Sequence, residues 1–218
     1  MTMTDVYAKY FIPMHLRRHL VRVAAVGSWI ASHSKSQVDV NEIACTLLFH
    51  DMGNLLKFDL QRGAYLFDPG ERDMSYWQNI QNKMKDLYGT DEHKATHIIA
   101  REVGVSDRVL YLLSNMGSSN LHKTLNVDDW ALKIVSYADF RVSPSGFVTV
   151  HERFDDIQKR YGGSAHVLAD RQKTTIKRGL CLELEKQIGT MTSVGLQNIP
   201  LGELEKCMIN LELFEIIV

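Results

Sequence analysis

An all-α fold is what this sequence predicts, on three observations. Apolar residues recur at helical spacing along most of the chain, and no regular apolar/polar alternation is bounded by hairpin turns. Cap residues and chain-stopping glycines punctuate these periodic stretches at intervals that suit helices. With 218 residues, 45% of them hydrophobic, the chain can bury one substantial core, so a single domain over residues 1–218 is expected.

The elements follow in order. Pro13 suits a first turn, and Met14, Leu16, Leu20, Val23, Ala24, Gly27 and Ile30 continue an apolar stripe to about Ala31. His15 and His19, four apart, share a face of this helix. Asp39-Val40-Asn41-Glu42 reads as a capping box for a second helix that runs to Asp51 and stops at Gly53. Leu55 to Asp73, with Gly63, Pro69 and Gly70, reads as a long loop able to act as a lid. Helices are predicted over Ser75–Tyr88, ended by Gly89, and over His93–Val103, ended by Gly104, with another from Ser106 to about Met116. Asp128 or Asp129 caps the next, which ends near Asp139. After the turn Ser143-Pro144-Ser145-Gly146 comes a helix over Val150–Tyr161, stopped by Gly162-Gly163. Ala165–Ile188 reads as a long amphipathic helix burying Val167, Leu168, Ile176, Leu180, Leu184 and Ile188. A last helix starts at Leu201; the apolar end Phe214, Ile216, Ile217 and Val218 is expected to dock on the core or on a second subunit, as in a homodimer.

Composition excludes several classes of function. The 25 basic and 26 acidic residues nearly cancel, which leaves no bulk attraction to nucleic acid or to an anionic membrane. Cys45, Cys181 and Cys207 are odd in number and far apart, arguing against a disulfide framework and a thiolate zinc site and for a reducing cytoplasm. No signal peptide is expected from the acidic N-terminus. The best apolar stretch, Val21–Ala31, is interrupted by Arg22 and falls short of the roughly 20 residues of a membrane span.

The chemistry centres on His50-Asp51, an imidazole and a carboxylate on consecutive residues at the end of an apolar helix. His19 upstream and Asp139 downstream complete a set of two imidazoles and two carboxylates. Such a mixed nitrogen and oxygen set suits one divalent ion (manganese, iron, cobalt, nickel or magnesium) with positions left for water, better than a closed structural zinc site. A metal-bound water of lowered pKa can attack phosphorus while the metal neutralises phosphoryl charge.

In this arrangement the chain resembles the HD-domain superfamily of metal-dependent phosphohydrolases. The resemblance rests on His19 in His19-Leu20-Val21-Arg22-Val23-Ala24, on His50-Asp51 in Leu47-Leu48-Phe49-His50-Asp51-Met52-Gly53, and on Tyr137-Ala138-Asp139-Phe140-Arg141-Val142-Ser143-Pro144-Ser145-Gly146 followed by Glu152-Arg153-Phe154 and Arg160-Tyr161. It covers about residues 14–161 and implies a helical bundle of the HD type, with residues 165–218 packed on it, and one metal held by His19, His50, Asp51 and Asp139. Where many members carry a lysine after the His-Asp pair, this chain has Asn54, with Lys57 the nearest lysine. Members with two metals add histidines before the last Asp; His93 is placed for one, but Asn115-Met116-Gly117 stands where another is sought.

The expected function is hydrolysis of a phosphate mono- or diester of a nucleotide or related small metabolite. Asp51 serves as ligand and catalytic residue, Asp59 or Glu71 in the lid as general acid. Arg18, Lys57, His93 and Arg141 are the substrate contacts, arginine being suited to bidentate phosphate binding. A non-catalytic regulatory module binding a nucleotide or metal, and a di-metal oxygenase, are the alternatives.

Overall fold

The computed structural model describes residues 1–161 and 170–216. It is an all-α structure, with eleven α-helices and a single two-stranded ribbon among the described residues. Helix α1, Met3–Lys9, opens with a reciprocal cap in which Thr2 and Asp5 satisfy each other's backbone donors. Helix α2, Met14–Ser32, is entered through Pro13, and α3, Val40–Phe49, starts where the Asp39 carboxylate accepts from the Asn41 and Glu42 backbones. Helix α3 ends at Phe49, so His50 is its C-cap and Asp51 lies in the turn beyond.

Helices α2 and α3 form the central pair, and Gly27 is where they cross: a Cβ there would overlap Leu47 Cδ1 and stand 3.2 Å from Ile43 Cγ2. The predicted lid is built of three single 3-10 turns, Asn54–Lys57, Ala64–Leu66 and Pro69–Glu71. Helices α4 (Met74–Tyr88), α5 (Glu92–Val103) and α6 (Asp107–Asn115) start on Asp73, Asp91 and Ser106, whose side chains accept from their first-turn backbones. Gly89 and Gly104 end α4 and α5 with φ of 79° and 88°, a region costly for other residues. A short α7 (Leu121–Leu125) leads to α8, Trp130–Ala138, capped by Asp129.

The Ser143–Gly146 turn closes a minimal antiparallel ribbon, β1 Val142–Ser143 with β2 Gly146–Phe147. Helix α9 spans Val150–Tyr161, α10 Arg171–Thr190 and α11 Leu201–Glu212. Within α10 the buried positions are Thr174, Cys181, Leu184 and Ile188, while Ile176, expected inside, is 50% exposed. That face is turned by packing against α7, α8 and α9. The predicted residues Gly162, Gly163, Val167, Leu168, Ile217 and Val218 lie outside the described residues.

The chain end docks as the apolar tail suggests: Ile216 is buried and its N–H donates to Met1 O, while Met3 N–H donates to Phe214 O. One hydrophobic cluster runs from Met3 to Ile216. Residues Ile43–Phe49 of α3 and Ala131–Ala138 of α8 are buried without interruption, the pattern of helices packed on every side. Among the described residues no helix is long and apolar enough to cross a membrane.

Candidate metal centre

Three elements deliver the donors. The buried runs of α3 and α8 end at His50 and Asp139, which are the C-caps of these helices, and His19 projects from the N-terminal half of α2. Carbonyl groups at helix C-termini carry partial negative charge and favour a cation in front of them. One donor atom each from His19, His50 and Asp139 lies within 4.8 Å of the other two, so these residues form a group that can hold a metal ion.

The distances fit such a role. His19 Nε2 is 3.2 Å and His50 Nε2 is 3.9 Å from Asp139 Oδ1. Asp51 Oδ2 is 3.7 Å from His19 Nε2 and 3.6 Å from His50 Nε2. Donors about 2.1 Å from a shared ion stand about 3.0 Å apart at right angles and about 3.4 Å apart at tetrahedral angles, so the group is only slightly open.

The hydrogen bonds point the same way. His50 Nδ1 lies 2.7 Å from Leu47 O, an oxygen that can only accept; the proton therefore sits on Nδ1, and Nε2 presents a bare lone pair to the cluster. Neither His50 Nε2 nor Asp139 Oδ1, both buried, has a hydrogen-bond partner; the 3.2 Å approach of His19 is not aligned as one. Burial opposes ionisation of Asp139, but the contact with His19, helped by the positive charge of Arg153, outweighs it and holds the carboxyl well below the usual range. Buried lone pairs with no donor are expensive unless a cation meets them.

Gly53 seats this corner. It was expected as a helix stop, but its φ of −84° needs no glycine. The reason is proximity: a Cβ would run into Glu92 O at the start of α5, while Gly53 N–H donates to Thr96 Oγ1 at 2.9 Å.

The expected substrate contacts are dispersed. Arg18 donates through Nη1 and Nη2 to Asp68 of the lid, at 2.7 and 2.6 Å, in a pair that is 41% and 37% exposed. Lys57 pairs with Glu92 at 3.1 Å, and His93, 82% exposed, lies 3.8 Å from the same carboxylate. Arg141 is buried, with Nε donating to Val148 O and Nη1 to Tyr137 Oη and Leu196 O. Its guanidinium is taken up by these three acceptors, which tie the turn after α8 to the rest of the fold.

The proposed acids are likewise engaged: Asp59 accepts from the Gln61 and Arg62 backbones, and Glu71 accepts Met14 N–H at 3.1 and 3.2 Å, capping α2 from a distance. Both carboxylates serve chain turns, which leaves the general acid unassigned.

Sequence reasoning placed His15 on the His19 face but gave it no task. Its ring stacks on Phe58 at 5.4 Å and meets Phe67 edge-on at 4.6 Å, and neither nitrogen has a partner. Burial, helped by the charge of Arg18, pulls its pKa from 6.5 to about 4. The unfolded chain therefore takes up this proton first as pH falls: the stability tied to neutral His15 is whole above pH 6.5 and is lost toward pH 4. The loss should be on the order of 3 kcal/mol. Urea unfolding of His15→Phe across this range should show a flatter acid side than the wild type; an identical slope would remove the assignment.

Fold and site together define an all-α chain carrying a His-His-Asp group suited to a divalent ion. Compared with known proteins, the chain matches no family model, no curated protein and no solved structure.

Proposed function

We propose that this protein is a metal-dependent phosphohydrolase of the HD-domain type, cleaving a phosphate mono- or diester of a nucleotide or related small metabolite. The observation that carries the reading is the convergence of His19, His50 and Asp139 on one point with two buried donor atoms unpartnered. Asp51 stands beside both imidazoles and is the fourth ligand in this proposal. Two neutral imidazoles and two carboxylates balance the charge of one divalent cation.

A divalent ion bound there supplies a water of lowered pKa and neutralises charge on a phosphoryl oxygen. The residues around it set the rest. His50 is held in one tautomer by Leu47 O, and Asp139 stays ionised. Arg18 grips Asp68 with the same two-pronged geometry that a phosphate would accept. An exposed pair of this kind contributes little to stability, so a substrate phosphate can displace the lid carboxylate.

The test is turnover. Protein stripped by a chelator and reloaded separately with manganese, cobalt, nickel, iron or magnesium is assayed against a panel of nucleotides and other phosphoesters. Phosphate release that vanishes on chelation and returns with metal is expected. Tight ligand binding without product under every metal would instead favour a regulatory module.

A further inference from the structure

One largely buried guanidinium, on the helix that packs against the turn beginning at Asp139, is incompletely satisfied within the fold. Arg153 of α9 has a side chain only 15% exposed, and its nearest carboxylate, Asp156, stands 3.6 Å from Nη1. Asp156 is itself gripped by Arg160, through Nε at 3.0 Å to each oxygen and Nη2 at 2.7 Å. Arg153 Nε is buried and has no partner.

The contrast with other arginines is direct. Arg17 donates to Ile12 O and Tyr7 O, Arg108 to both oxygens of Asp129, and Arg141 to three acceptors. A buried N–H on a charged group left unpaired costs more than a neutral one, so such an atom marks a place where an acceptor belongs.

Its surroundings say which acceptor. Helix α9 packs on the 139–141 turn that follows α8, where Phe154, next to Arg153, stacks on Phe140, next to Asp139, with ring centroids 5.5 Å apart. Apart from the hydroxyls of Ser28 and Ser136, all the buried side-chain polar atoms without partners among the described residues belong to His15, His50, Asp139 and Arg153. His50 and Asp139 present acceptors suited to a cation; Arg153 presents a donor suited to an anion. An oxyanion shared between the cation and a guanidinium would satisfy both kinds at once.

We propose that Arg153 is the anion-binding residue of this site, donating through Nε–H to a phosphoryl oxygen of the substrate. The assignment rests on the phosphohydrolase reading for the identity of the ligand. Asp156, fixed by Arg160, holds the fork from behind and is a positioning residue.

Inorganic phosphate is the probe that separates this proposal from the activity. Its binding to manganese-loaded wild type is measured by calorimetry and compared with Arg153→Gln and with the milder Arg153→Lys; manganese affinity without phosphate is measured in parallel. The expected result is a loss of phosphate affinity of about 10- to 100-fold in Arg153→Gln, a smaller loss in Arg153→Lys, and little change in manganese affinity. If the phosphate effect appears while no ester is turned over, the anion site stands and the hydrolase reading falls. Unchanged phosphate affinity in a folded variant, no phosphate binding by the wild type, or a loss confined to manganese affinity would each overturn the proposal; the last would reduce Arg153 to a support for Asp139.

Discussion

Asp139→Asn is expected to leave the protein folded and remove metal-dependent turnover. The substitution keeps the shape of a side chain that is 34% exposed, but it deletes the charge toward which His19 Nε2 and His50 Nε2 are turned. Metal chemistry at a phosphoryl centre is worth several kcal/mol, and at about 1.36 kcal/mol per tenfold the expected loss in kcat/KM is about 10^3-fold. Thermal unfolding gives an independent reading. A metal present at 100 times its Kd stabilises the folded wild type by about 2.7 kcal/mol, and the variant should show little of this gain. Full metal-dependent activity in Asp139→Asn, or in Asp51→Ala, would sink the proposed ligand set.

Arg141→Ala should produce the largest loss of stability. Nε donates to Val148 O and Nη1 to Tyr137 Oη, each at 2.7 Å, and Nη1 also donates to Leu196 O. The Tyr137 hydroxyl in turn donates to Glu185 of α10, which lies 3.9 Å from Arg141. One cation thus ties the turn after α8 to the β-ribbon, to α10 and to the segment before α11. Its removal leaves the Glu185 carboxylate and two carbonyls poorly satisfied in the interior, a change that costs roughly 3–5 kcal/mol when a buried pair is broken. Denaturant unfolding measures it directly; a midpoint within error of the wild type would show that the network is dispensable. Because the turn begins at Asp139, metal affinity should fall as well.

These residues also show what was legible in the sequence. Helix limits written in local chemistry were readable: Asp39 and Asp129 cap the helices they were expected to cap, a helix starts on Ser106 as expected, and Gly89 and Gly104 end theirs with positive φ. The convergence of His19, His50 and Asp139 was readable for the same reason, each lying on a helix whose apolar pattern sets its direction. What was not legible depended on distant partners. Arg18 and Arg141 look alike as free cations beside ligand residues, yet one meets Asp68 across 50 residues and the other is enclosed by Leu196 across 55. Helix α1 escaped because its burial depends on the returning chain at Phe214–Ile216. The acidic candidates Asp59 and Glu71 were chosen for lying in the lid, and no sequence pattern announces that Glu71 caps a helix 57 residues away.

The two glycines at close helix approaches, Gly27 between α2 and α3 and Gly53 against the start of α5, are constrained in different ways, and the sequence is free to drift differently at each. At Gly27 the obstruction is the tip of a side chain, Leu47 Cδ1, so an alanine there can be accommodated by shortening residue 47; the two positions should change as a pair. At Gly53 the obstruction is the backbone carbonyl of Glu92, which no exchange at position 92 can shorten. A library randomised at 27 and 47 together should therefore yield folded, metal-binding combinations, whereas one randomised at 53 and 92 should return glycine at 53 whatever stands at 92.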